Sequence, residues 1–96
     1  MKGDTLYAAS EAVILTAREI EYLSLAALGF KNFEIADLLS VTNSTVKKTL
    51  ENIFEKLNAL NRTNAVAIAL VHKIITPKNL SEISLKYNVS IEKNPS

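Results

Sequence analysis

The chain has 96 residues, one domain at most, and 48% of them are of apolar types, enough for a core and too many for a disordered tail. Eleven basic and ten acidic residues leave a formal charge of +1, which argues neither for nor against a nucleic-acid partner. The absence of cysteine excludes disulfides, thiolate metal sites and a cysteine nucleophile, and two glycines, Gly3 and Gly29, cannot build a phosphate-cradling loop.

Residues 1–11 read as an N-terminal extension. Lys2 is followed at once by Asp4, and Glu11 interrupts the stretch from Leu6 to Leu15, so no signal-peptide core forms there. The longest apolar run, Ala65 to Val71, is far short of a bilayer span. A soluble cytoplasmic protein with no membrane association is expected.

Consecutive helices follow. Thr16-Ala17-Arg18-Glu19 matches a capping box, in which the hydroxyl and the carboxylate each satisfy a free backbone donor at the helix start. Ile20, Leu23 and Ala27 recur at helical spacing, and Gly29 is placed to end the helix in a left-handed conformation. The second helix is short, with Phe33, Ile35, Ala36, Leu38 and Leu39 on its buried side and a stop near Ser40. Thr42 caps a third helix over about residues 43–59, whose apolar residues Val46, Leu50, Ile53 and Leu57 keep to one stripe. A break at Asn61-Arg62-Thr63 precedes a fourth helix over about 63–75. Thr76-Pro77 stops it, because the residue before proline is pushed out of helical geometry.

The third helix has two unlike faces. Ser44, Lys47, Lys48 and Glu51 fall at i, i+3, i+4 and i+7, opposite the apolar stripe. A short helix, a turn of a few residues and a longer helix with a polar, lysine-bearing face is the layout of a helix-turn-helix reader of the major groove. Helix starts at Thr16, Asn32 and Thr42 offer backbone amides to phosphates. Two lysines on a solvated helix face are ordinary by themselves, and short helices of this kind also build adaptor domains.

An ordered series of residues goes further. Leu15-Thr16-x-Arg18-Glu19-x-Glu21-x-Leu23 is followed by Gly29-x-x-Asn32-x-Glu34-Ile35-Ala36-x-x-Leu39. Val41-Thr42-x-x-Thr45-Val46-Lys47, Asn52-Ile53-x-x-Lys56-Leu57 and Asn61-Arg62-x-x-Ala65-Val66 complete it. This series resembles a LuxR-type (GerE-like) helix-turn-helix domain over about residues 12–76. The resemblance implies an all-α fold, a four-helix domain with short N- and C-terminal extensions, in a bacterial transcription regulator that binds double-stranded DNA. It implies that the third helix enters the major groove and that the fourth forms a two-fold homodimer.

Carried over by position, the expected DNA-binding residues are Lys31, Asn32, Thr42, Ser44, Thr45, Lys47, Lys48 and Glu51, with Val46 and Ile53 in the core beneath. Lys31 stands where the family usually has a Ser or Thr cap, so Asn32 is expected to cap the second helix. Phe33 replaces a usual polar or basic residue, as part of a wider core or as an exposed aromatic contact, and Thr49 replaces a common histidine. Glu51 stands where basic or small residues are frequent; a glutamate facing the groove repels phosphates but can accept from a cytosine amino group. Glu19 and Glu34 resemble structural acids at helix starts rather than catalytic groups. No nucleophile, base and cleft constellation suggests an enzyme, and no cofactor or metal is expected.

The stretch Ala65 to Val71 is apolar all round, which calls for a covering partner. Ala65 and Ala69 are assigned to the core, and Val66, Leu70, Val71 and Ile74 to a dimer seam. The chain's own ends, Leu6-Tyr7 and Val13-Ile14 or the tail, are the alternative cover. Lys73 replaces a helix-ending glycine, so the fourth helix is expected to continue to Ile75. In the tail, 77–96, Ile83, Leu85, Tyr87, Val89 and Ile91 alternate with polar residues, which predicts a strand over 83–91; a helix from Leu80 is the competing assignment. The expected function is a regulator consisting of little more than its DNA-reading domain. The alternative is a protein-interaction module using the fourth helix or the tail as its docking surface. The strongly apolar fourth helix argues against a sigma-factor-like promoter reader.

Overall fold

The computed structural model describes residues 13–89, and all regular structure among them is helical. Five helices follow one another: α1 (Ala17–Ala27), α2 (Asn32–Leu39), α3 (Asn43–Leu57), α4 (Arg62–Val71) and α5 (Pro77–Lys86). Leu6-Tyr7 and Ile91 lie outside the described residues.

The starts of these helices are set by side chains that replace missing intrahelical partners. At α1, Thr16 Oγ1 accepts from the Glu19 N–H (3.0 Å) and Glu19 Oε1 accepts from the Thr16 N–H (2.9 Å), the reciprocal box expected. Thr42 caps α3 by accepting from the Thr45 N–H (3.1 Å). Asn61 caps α4 in the same way, accepting from the Asn64 N–H (2.8 Å).

The ends share one pattern. A residue at positive φ follows each helix: Gly29 (97°), Ser40 (59°), Asn58 (55°), Lys73 (60°) and Asn88 (54°). The amide after it folds back onto the last turn, as in Phe30 N–H to Leu25 O (3.1 Å), Val41 to Ala36 (3.0 Å) and Ile74 to Ala69 (2.8 Å). Lys73 therefore takes the left-handed conformation of the glycine it replaces, and α4 ends at Val71 instead of continuing to Ile75. Ile75 is buried beyond the turn, which anchors the chain once it has left the helix.

The tail corrects the strand expected over 83–91. Thr76 and Asn79 form a reciprocal cap, with Thr76 Oγ1 accepting from the Asn79 N–H (3.1 Å) and Asn79 Oδ1 from the Thr76 N–H (2.8 Å). Pro77 occupies the first helical position, where its fixed φ suits a helix and its missing N–H costs nothing. The dipeptide that keeps α4 from continuing thus starts α5. Ile83 is buried and Leu80 and Tyr87 half-buried, at helical spacing, whereas Leu85, needed for the alternation, is exposed.

Helix α1 lies at the centre, packed against α2, α3, α4 and α5. Its residues Glu21 to Ala26 are all buried, since α5 closes a side the other three leave open. The core is completed by Ile35, Val46, Leu50, Ile53, Ala65 and Ala69. Phe33, read as part of a wider core or as an exposed aromatic contact, is 58% exposed.

Glu21 is the polar element of the α1–α5 contact. Its Oε1 accepts from Tyr87 Oη (2.7 Å) and Arg18 Nη1 (3.0 Å), and Oε2 pairs with Lys86 Nζ. Burial alone would raise the Glu21 pKa, but the hydrogen bonds from Lys86, Tyr87 and Arg18 outweigh it and hold the carboxyl below the usual range.

Two outcomes follow from this architecture. Lys73→Gly relieves a side chain from a left-handed backbone and is expected to raise unfolding stability by up to about 1 kcal/mol in urea denaturation. A depressed carboxyl pKa contributes stability that is present above the unfolded-state value and lost as the pH falls through the folded value. Acid titration of the melting temperature should therefore show a fall below the ordinary carboxylate range that is smaller in Glu21→Gln.

Candidate nucleic-acid interface

The helix-turn-helix is formed by α2, the turn Ser40-Val41-Thr42 and α3. Ser40 reverses the chain at positive φ, and Val41 is half-buried beneath the turn. Thr42 fixes the start of α3 twice, accepting from the Thr45 amide and donating through its hydroxyl to Thr45 Oγ1 (3.0 Å). Val46, Leu50, Ile53 and Leu57 face the core and fix the rotation of α3 about its axis.

That rotation leaves Thr42, Ser44, Thr45, Lys47, Lys48 and Glu51 exposed together along the first half of α3. Glu51 thus stands on the same open side as the two lysines. Lys31 is also exposed, at the end of α2 far from the turn. Asn32 departs from its expected part as a cap. Lys31 holds the N-cap position and has no side-chain acceptor to offer; instead Glu34 Oε1 accepts from the Lys31 N–H (2.7 Å). Asn32 lies one residue inside the helix, and its Oδ1 accepts from Arg62 Nη1 (2.8 Å).

Three basic residues that sequence reasoning left without a part bond to neighbouring helices. Arg18 donates from Nη2 to the Leu39 carbonyl (3.3 Å), holding the end of α2 onto α1. Lys56 Nζ donates to both carboxylate oxygens of Glu19 (2.9 and 2.8 Å), tying the end of α3 to the start of α1. Burial would raise the Glu19 pKa, but the Lys56 and Thr16 hydrogen bonds prevail and lower it. Arg62 reaches from α4 to Asn32 and to the Phe30 carbonyl, and burial lowers its pKa. Lys31, Lys47 and Lys48, by contrast, have no ion-pair partner among the described residues. The one signal available in the sequence was the recurrence of Arg18, Glu19, Lys56 and Arg62 within the motif series.

The expected seam residues on α4 divide. Leu70 and Val71 are 39% and 74% exposed, whereas Val66 and Ile74 are half-buried against the core. Ala65 and Ala69 lie in the interior, as assigned. No helix among the described residues is long and apolar enough to cross a membrane, and none of their His, Asp and Glu side chains group as metal ligands.

Comparison with known proteins agrees with this arrangement. The family model of bacterial regulatory proteins of the luxR family (GerE) matches residues 13–69, from the start of the described chain into α4, so α5 lies beyond the match. The transcriptional activator protein BjaR1 of Bradyrhizobium diazoefficiens is 46% identical over 63 residues, covering 66% of this chain and 26% of that protein. The response regulator protein VraR of Staphylococcus aureus is 45% identical over 62 residues, covering 65% of this chain and 30% of that protein. VraR of Staphylococcus saprophyticus matches to the same extent. The chain thus spans between a quarter and a third of the length of these relatives. No solved structure matches significantly. Residues, fold and family model agree: the chain belongs to the luxR family of bacterial regulatory proteins, as a DNA-binding helix-turn-helix domain of a transcription regulator.

Proposed function

We propose that the domain reads a pseudo-palindromic duplex site as a homodimer, with α3 in the major groove and α4 at the two-fold axis. The observation that carries the reading is the division of α3: four apolar residues are buried on one side, while Thr45, Lys47, Lys48 and Glu51 are open on the other, clear of ion pairs among the described residues. Lys47 and Lys48 reach base edges or phosphates, Thr42, Ser44 and Thr45 approach the backbone at the helix start, and Lys31 meets a phosphate beside α2. Asn32, whose Oδ1 accepts from Arg62, is assigned to supporting Lys31 from within. On this reading Glu51 accepts from a cytosine amino group, and a base that presents only acceptors there leaves its carboxylate without a donor.

Leu70 and Val71 supply the apolar contact between subunits, and Val66 and Ile74 flank it from their half-buried positions. The names of the relatives, an activator and a response regulator, support action in transcription control, which requires access to the chromosome in the cytoplasm.

Selection from random duplexes tests the groove reading directly. A palindromic site is expected to be enriched, with Lys47→Ala binding it at least about tenfold more weakly, the equivalent of 1.4 kcal/mol. No enrichment at low salt would instead favour a protein-interaction module on this scaffold. The seam is tested by Val71→Glu, which changes an exposed position and should alter the stability of a monomer by less than about 0.5 kcal/mol. Sedimentation is expected to show loss of the dimer, and binding should fall to that of a single half-site; an unchanged dimer would remove Val71 from the interface.

A further inference from the structure

The α1–α2 connection and the start of α4 meet around one side chain. Arg62 is the first residue of α4 and is half-buried. Its guanidinium forks, with Nη1 donating to Asn32 Oδ1 (2.8 Å) and Nη2 donating to the Phe30 carbonyl. These acceptors belong to the residues on either side of Lys31. The Lys31 N–H is held in turn by Glu34 Oε1 (2.7 Å), while the Lys31 side chain remains exposed.

The surroundings explain why this grip matters. The segment follows Gly29, whose φ of 97° takes the chain sharply out of α1. Beside it lies an open depression of about 400 Å³, bordered by Ala26, Gly29, Phe30 and Arg62, so packing supports the segment weakly on that side. A planar guanidinium can bridge two acceptors in fixed geometry, which an ammonium on a flexible stem does not do.

We infer that Arg62 is a positioning residue for DNA binding, fixing Lys31 and the first turn of α2 relative to α4. The inference rests on the reading that Lys31 meets a phosphate and that α4 carries the subunit seam. Arg62 then acts through Lys31 without touching DNA, since two of its nitrogens are spent on the protein. The phosphate contact and the two-fold axis are held in one register because both depend on the same helix.

The test is a double-variant cycle on the full chain, titrated by fluorescence anisotropy against a random-sequence duplex of about three helical turns over a salt series. Lys31→Ala is expected to weaken binding and reduce the slope of log affinity against log salt by about one. Arg62→Lys keeps the charge but cannot bridge both acceptors; it should weaken binding about fivefold with the same loss of slope. Adding Lys31→Ala to Arg62→Lys should then cost less than about twofold more, because the contact is already lost. Asn32→Ala removes one acceptor without altering α4 and should show the same lack of additivity with Lys31→Ala. It carries the test if thermal melting shows Arg62→Lys to be unfolded.

Multiplicative losses in the double variants, or an unchanged salt slope in both Arg62→Lys and Asn32→Ala, overturn the inference and leave Arg62 a structural residue. Binding by Lys31→Ala equal to wild type overturns the phosphate reading of Lys31 and the inference with it. A Lys31 effect without coupling overturns the inference alone.

Discussion

Helix α1 has six consecutive buried residues, Glu21 to Ala26, and this sets the arrangement of everything around it. A helix presents its side chains in all directions within one turn and a half, so six in a row can be covered only from every side. The helix-turn-helix pair α2 and α3 covers one part, α4 a second and α5 the remainder. The orientation of α3 is therefore a consequence of packing on α1: Val46, Leu50 and Ile53 must face inward, and the polar residues between them have only the outside left to occupy. Removing that apolar area from water is the dominant favourable term, and the hydrogen bonds at the helix starts and ends add specificity to it.

Charge is divided between the two purposes. Arg18, Lys56 and Arg62 each join two helices by bonding to a carbonyl, an amide oxygen or a carboxylate, and each lies where a wrong helix angle would break the bond. Lys31, Lys47 and Lys48 are left unpaired among the described residues. A net charge of +1 is thus compatible with a basic exposed face, because Glu19, Glu21 and Glu34 are held at helix starts and in the α1–α5 contact. Glu51 is an acid exposed on the same side of α3 as Lys47 and Lys48.

Much of this is legible in the residues alone. The capping box at Thr16, the left-handed exit at Gly29, the cap at Thr42 and the stripe Val46, Leu50, Ile53, Leu57 are local patterns, and local patterns survive folding unless tertiary contacts override them. Phe33 leaves two readings open in the sequence, because an aromatic in an apolar helix suits the interior, yet it falls on the outer side of α2. The tail admits two readings in the sequence, because alternation over residues 83–91 fits a strand, whereas Thr76, Pro77 and Asn79 commit the chain to a helix before that stretch begins. The end of α4 was missed because lysine disfavours positive φ, a preference that the buried Ile75 just beyond it overrules. The bridges of Arg18, Lys56 and Arg62 join residues 21 or more apart, and spacing along the chain carries no information about such partners.

Helix α5 has a consequence for where such a domain may be cut. The stretch shared with the family ends inside α4, while the surface that α1 must hide is closed only by residues 77–86 and by Tyr87 just beyond them. The unit recognised by descent is therefore shorter than the unit that folds. Any fusion or graft that takes the shared segment alone would transplant a helix-turn-helix with its central helix stripped on one flank, and would leave apolar surface open to unwanted association.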